Sequence, residues 1–344
     1  MTTNHYTQNF NLDEILAASS DAIRMRLGEA VQHPHPLASA IGLPAIAAAA
    51  GLKRRPQLPR EAPVTALGRG MSTSDFGRIL AEGASGVVHQ AYLGQAEHRK
   101  FAKPVELRDF KPTGWPAPSS DTALRLTGDL GEIQYGSARL SEESVLLKLM
   151  SYSRILVISR RDIINDQFDG IQQAFSDVGA NVGRAEAQLV AEALETPPVM
   201  NDGGQVFAAD YKNVVASALD AASLGVAMGY LRMQLTPSGT TAGLRARHLI
   251  VAADLEMLAM SIVLDIGADI DVSVVAELPN GRWYLTADHQ THPTIVTTRL
   301  KGSMLPVRLD GAKCPDGADG VGIRVMADIG AAIIRRDGII RGGV

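Results

Sequence analysis

The chain has 344 residues, of which 46% are hydrophobic and 20% charged, so it holds enough apolar material for a large core and cannot be wholly disordered. Lys and Arg number 33 against 37 Asp and Glu, and the net charge of −4 offers no global attraction to nucleic acid or an anionic membrane. Cys314 is the single cysteine, which excludes an intrachain disulfide and any cysteine-based zinc or iron–sulfur centre.

In chain order, the opening residues MTTNHYTQNFNLDEI lack the basic start and apolar run of a secretory signal, so the expectation is a chain that is not exported. LDEILAASSDAIRMRLGEAV predicts one helix, with Leu12, Ile15, Leu16, Ile23, Leu27 and Val31 near one face. That face needs a partner, and further copies of itself in an inner scaffold are the expected one. An Ala-rich stretch or short helix follows HPHP; with Pro44 in its middle it is too short and broken to span a bilayer. The prolines and basic residues of KRRPQLPREAPVTALGRG predict an exposed linker and a boundary near Gly70. STSDF caps a helix through about Tyr92, weakened by Gly77, Gly83 and Gly86.

From Phe101 to Leu149 strand and loop signals dominate, and EIQYGSARLSEESVLLKLMSYSRILVISR predicts two long strands joined by a turn, a ribbon needing an outside surface. Ile171, Phe175, Val178, Val182, Ala185, Leu189 and Ala193 then mark one stripe of a helix ending at Thr196, before Pro197 and Pro198. At about 1.5 Å per residue it spans roughly 40 Å, a spine. PVMNDGGQVF reads as turn plus strand, VVASALDAASLGVAMGYLRMQ as a helix, and HLIVAA as a buried strand. DLEMLAMSIVLDI predicts a helix capped by Asp254, and DVSVVAELPNGRWYLTAD a hairpin around ELPNGR. The remaining strands are separated by a Gly/Asp loop. The fold class is α+β with a mixed sheet.

Candidate chemistry is sparse. Asp288, His289 and His292 in DHQTHP are the nearest approach to a metal constellation, and a polar loop after a strand is the favoured reading. His33 and His35 alternate with prolines in a flexible linker. Asp310, Asp316 and Asp319 sit among glycines, but without EF-hand spacing they read as a solvated turn. Ser85 in GASG falls short of a nucleophile elbow, no phosphate-binding glycine motif follows a strand, and Cys314 has no histidine beside it in sequence. Glu142 and Glu143 suit an exposed ribbon face, and Lys53, Arg54 and Arg55 a solvated linker. The expectation is no catalytic, cofactor-binding or metal-binding residue, and no enzyme.

The blocks STSDFGRIL, RILVISRRDIINDQF, TPPVMNDGGQVFAADYKN, LRARHLIVAADLE, GRWYLTAD and DIGAAIIRRDGIIRG, in this order, resemble the Mu-like phage major head protein family, often met as the C-terminal part of prohead protease–capsid fusions. The resemblance covers the chain from Met71 onward. It implies the tailed-phage capsid fold of the Hong Kong 97 type, with an N-terminal arm, an extended β-ribbon loop, a long spine helix, and peripheral and axial domains. Transferred to this chain, residues 1–70 are a scaffold-like segment and linker, too short for the fused protease, and 71–100 the arm. Residues 101–150 hold the extended loop, 151–213 the peripheral domain with its spine, 214–296 most of the axial domain, and 297–344 the return to the peripheral domain.

The implied function is a major capsid protein that self-assembles into hexamers and pentamers of an icosahedral head around double-stranded DNA. The implied partners are further copies of the chain, a prohead protease or scaffold, a portal protein and DNA held without sequence-specific contacts, with no membrane. The implied place is the virion, after assembly in the bacterial host cytoplasm. The ribbon is expected to bury Leu146 and Leu149 on a neighbouring subunit. Lys100, Lys103 and Lys111 match no cross-linking motif. An encapsulin-like nanocompartment shell is the first alternative, and a soluble metal-dependent enzyme using Asp288, His289 and His292 the second.

Overall fold

A computed structural model describes residues 12–53, 74–120, 138–200, 203–235, 239–302, 305–314 and 319–343. Most of the basic linker, from Arg54 to Gly70, lies outside them, as does Asp316. Helix α1 (Leu12–Arg26) carries acidic residues in its first turn and arginines in its last, in keeping with the helix dipole. It stops short of Val31 because Gly28 takes φ +83°, the left-handed conformation that ends helices. Helix α2 (Leu43–Lys53) has Pro44 in its first turn, where a missing N–H is harmless. The loop between them is held rather than flexible: the His35 amide donates to Asp21 at 2.9 Å. Helix α3 (Ser74–Gln95) follows, with Ser85 in its interior donating to the Glu82 carbonyl at 2.8 Å.

Strands β1 (Lys103–Leu107), β2 (Thr113–Ser120), β3 (Ala138–Leu147) and β4 (Met150–Ser159) come next. The ribbon differs from the expected one: β3 pairs antiparallel with β2, while β4 pairs with a strand near the C-terminus. Lys148 and Leu149 between β3 and β4 have no positive φ, the conformation that a tight two-residue hairpin requires. Helix α4 (Arg160–Ile164) is capped by Ser159, whose hydroxyl accepts from the Asp162 amide, and α5 (Phe168–Glu195) ends just before Pro197 and Pro198.

Gln205–Phe207 form no strand, because Asn213 satisfies their backbone instead: its amide donates to the Val206 carbonyl at 2.7 Å and its oxygen accepts from the Ala208 amide at 3.0 Å. The helix expected from Val214 starts only at Ala221: Val214–Val215 pair as strand β5, and a capping box between Asp220 and Ser223 sets the first turn of α6 (Ala221–Met233). Strand β6 (Ala246–Val251) leads to α7 (Glu256–Ile266). Asp254 does not cap α7; its carboxylate accepts from the Gly281 amide at 2.9 Å across the chain. Strands β7 (Asp271–Val274) and β8 (Trp283–Ala287) are not a hairpin, since β6 lies between them, parallel to β7 and antiparallel to β8. The chain closes with β9 (Ile295–Leu300), β10 (Val307–Ala312), β11 (Gly320–Ile333) and β12 (Ile339–Gly342).

The described residues divide into two compact units. One gathers those of Met1–Gln95, Ser151–Gly183 and Leu305–Asp328. In it α1 lays Ala22, Ile23 and Leu27, all buried, against α3, so the apolar face expected to seek further copies is covered within the chain. The helix-weakening glycines of α3 have a packing reason: a Cβ on Gly83 would come within 2.5 Å of Ile23, and one on Gly77 within 2.9 Å of the Gly322 carbonyl. The first half of α5 buries Ile171, Phe175, Gly179 and Gly183. Beyond Phe175 this stripe runs one residue later than Val178 and Val182, because helix α3 comes so close that only glycine fits.

The other unit gathers those of Ala96–Met150, Arg184–Met304 and Ile329–Val344. Here β1 runs parallel to β9, which pairs antiparallel with residues 329–333 of β11. A second sheet has the order β5-β12-β8-β6-β7. One core packs Val190, Ala191 and Leu194 of α5 with Phe101, Tyr284 and Ile339. Another packs α6 and α7 against Leu249, Trp283 and Ile340. At about 25 cal/mol per Å² of apolar surface removed from water, such cores supply the main driving force of each unit.

Candidate functional site

The ribbon is anchored at its base. Val145, Leu147 and Leu149 are buried with Leu107, Val296 and Ile334 of the same chain, so Leu149 at 7% exposure needs no neighbouring subunit. Leu146, on the opposite face of β3, stays 56% exposed. The ribbon register skips Glu142 and Glu143, which occupy a bulge opposite Pro116 and Ala117.

Among the described residues, the most exposed apolar side chains lie on α7. EMLAMSIVLDI is apolar almost all round, yet only Ala259 and Ile262 are buried, leaving Met257 at 78% and Leu264 at 82% exposure, with Met260 and Ile266 also open. Met233 at the end of α6 and Leu235 just beyond it are exposed, and β4 shows Tyr152, Ile155 and Val157. Exposed apolar faces on secondary elements mark interaction surfaces. Sequence reasoning passed over α7, although a helix apolar on every side is itself the signal of burial on more than one side.

The sequence-singled histidines part company. His289 meets His248 of β6, Nδ1 to Nε2 at 3.2 Å, with Asp288 beside them, and these three form the metal-competent cluster among the described residues. Burial pushes both imidazoles below the usual histidine range, with positive charge on His289 acting further on His248 and Asp288 opposing the effect on His289. Asp288 is held low by the Gln290 amide and the Thr291 hydroxyl. His292 instead lies 3.0 Å from Asp337, which Arg335 also contacts at 2.7 Å. Burial would raise the Asp337 carboxyl, but these two partners outweigh it and hold it at about 2. A cleft of about 600 Å³ runs past Asp288, His292, Arg247 and Asp269.

The other candidates take structural places. Asp310 of β10 stands opposite Arg324 of β11, Asp319 is exposed 3.9 Å from Arg160, and Cys314 is half-buried. Lys100 pairs with Glu97 at 3.3 Å, Lys103 lies in β1 and Lys111 is exposed. A polar group missed from sequence is Glu186 of α5, wholly buried, with His98 at 3.1 Å and Arg299 at 3.8 Å. Among the described residues no helix is long and apolar enough to cross a membrane.

Three kinds of comparison bear on these surfaces. The family model described as phage capsid protein matches residues 142–342. Comparison with curated protein sequences returns no match. Among solved structures, that of Mycobacterium phage Bobi aligns with TM-score 0.50 at 8% identity, over 72% of this chain and 90% of that one. Microbacterium phage Oxtober96 aligns with TM-score 0.47 at 12% identity, over 72% of this chain and 91% of that one. The holo-SrpI encapsulin complex from Synechococcus elongatus PCC 7942 aligns with TM-score 0.49 at 8% identity, over 71% and 85%. The likeness is one of fold: α+β, of the tailed-phage Hong Kong 97 type, with a two-stranded ribbon and a long helix. With its family matched over more than half its length and its apolar helix faces left open, the chain belongs to the phage capsid protein family and is a major capsid protein that builds a shell.

Proposed function

We propose that this capsid protein assembles into hexamers and pentamers that close an icosahedral head around double-stranded DNA, in the manner of the Mu-like head proteins. The observation that carries the reading is the open apolar face of α7, with Met257 and Leu264 almost fully exposed on a helix that is otherwise core-like. A lone subunit leaves that area in water, and repeated around a symmetry axis it is removed, at about 25 cal/mol per Å². The domain assignment belongs to the same reading: an arm at 71–100, an extended loop at 101–150, a peripheral domain at 151–213 and 297–344, and an axial domain over most of 214–296. A portal, a scaffold or prohead protease, assembly in the host cytoplasm and residence in the virion complete it.

The test is electron microscopy of the concentrated full-length protein beside the double variant Met257→Asp, Leu264→Asp. Both side chains already face water, so the variant should keep its fold by circular dichroism and lose closed shells. Shells formed by the variant as readily as by the wild type would overturn the reading. Nuclease-protected DNA inside native particles agrees with it, whereas a single enclosed protein cargo would favour the encapsulin-like alternative.

A further inference from the structure

We propose that His248, His289 and Asp288 form a binding site for one zinc ion, which ties the loop after β8 to strand β6. Three observations converge on it. First, the ring nitrogens of His248 and His289 face each other at 3.2 Å. Two imidazoles on one tetrahedral zinc, each at about 2.0–2.1 Å, place their nitrogens about 3.3 Å apart. Second, the carboxylate of Asp288 stands beside them, all ligand atoms lying within 4.8 Å of one another, and ion binding would draw it from the Gln290 amide and the Thr291 hydroxyl to become the third ligand. Imidazole with carboxylate is a donor set that suits zinc.

Third, Nδ1 of His248 is buried with no hydrogen-bond partner among the described residues, and the Asp271 carboxylate lies 3.9 Å from it. In a plain His–His hydrogen bond one facing nitrogen must carry the proton. With the ion bound through Nε2 of His248, the proton moves to Nδ1, and a shift of the Asp271 carboxylate from 3.9 Å to hydrogen-bond distance would complete the carboxylate–histidine–metal arrangement that orients ligands in zinc proteins.

The electrostatics are favourable for a cation. Asp288 belongs to the cluster and Asp271 lies 3.9 Å from His248, while Arg247, a positive group acting on His248, is engaged with Asp269 at 2.6 Å and Asp271 at 3.3 Å, and Lys103 is the positive group acting on His289. Asp288 lines the open cleft, which gives the ion a path from solvent. The expected partner from sequence, His292, lies 3.0 Å from Asp337 through Nε2 and is not among the residues whose ligand atoms converge. Three protein ligands leave a fourth position for water, and the site lies between a strand and a loop of one chain, so its role is to stiffen the shell subunit.

The test is titration of the chelator-stripped full-length chain with zinc chloride near neutral pH, followed by calorimetry, with cobalt substitution as a second readout. One zinc per chain is expected, and the cobalt form should show the visible absorption of a tetrahedral nitrogen–oxygen site. His289→Ala and Asp288→Asn should each weaken binding by at least about 100-fold, more than loss of an outer partner costs. His292→Ala should leave binding unchanged. No stoichiometric zinc, equal affinity in the His289 and wild-type chains, or a thiolate-to-cobalt band that implicates Cys314 would each overturn the site.

Discussion

Gly179 on the long helix faces the carbonyl of Val88 on α3 so closely that a single added Cβ would overlap its oxygen. Four residues on, a Cβ at Gly183 would come within 2.9 Å of the Gln95 side chain. The helix pair is therefore set by two backbone surfaces in contact. Gly179→Ala should cost about 1–3 kcal/mol in chemical denaturation of unassembled subunits. Gly170, in the same helix, has nothing within 4 Å of where its Cβ would be, so Gly170→Ala should stabilise by about 0.5–1 kcal/mol through helix propensity. A shared sign for both substitutions would contradict this packing.

Gly342 packs flat against Trp283, whose indole occupies the space of any side chain there and donates to the Ser217 carbonyl at 3.3 Å. Gly342→Ala should displace the ring, shift tryptophan fluorescence to longer wavelength and destabilise the subunit by about 1–3 kcal/mol. An unchanged emission spectrum would count against that contact.

Glu186 brings negative charge beside Arg299 and His98 in a site from which water is excluded. Glu186→Ala should destabilise by about 3–5 kcal/mol, because the buried arginine loses a compensating charge. Glu186→Gln, which keeps the shape, should cost less; denaturant midpoints of the two variants check the order.

The depressed Asp337 carboxyl links stability to pH. Its folded value of about 2 lies below the ordinary 3.8, so the stabilisation is present in full above about pH 4 and is lost as the pH falls through 2. The difference amounts to about 2 kcal/mol. Asp337→Asn should destabilise at neutral pH and flatten the acid limb between those limits, measured by thermal melts across the pH series.

Truncation before Ser74 removes α1 and α2, whose Ile23, Leu27, Leu43 and Ile46 are fully buried. The bare face of α3 should then lower the melting temperature and raise binding of a hydrophobic dye. Ile23→Ala alone should cost about 2–5 kcal/mol. A truncated chain as stable as the whole would restore the view of the segment as a separable scaffold.

Much of the local structure follows from the sequence, because its causes lie within a few residues. Pro197 and Pro198 stop the spine, and the apolar spacing locates the C-terminal end of the long helix to within a residue and its start to within three. The capsid fold and family were legible as an ordered set of sequence blocks. What only the tertiary structure decided are the pairings between distant segments. These include β3 on β2 instead of β4, β7 and β8 on either side of β6, and the turn of the spine onto Gly179 and Gly183 rather than Val178 and Val182. The same holds for His248 meeting His289, 41 residues later. Hydrophobic periodicity states that a face is buried; it carries no term for which backbone arrives there, and close approach, charge burial and ligand geometry all depend on that second surface.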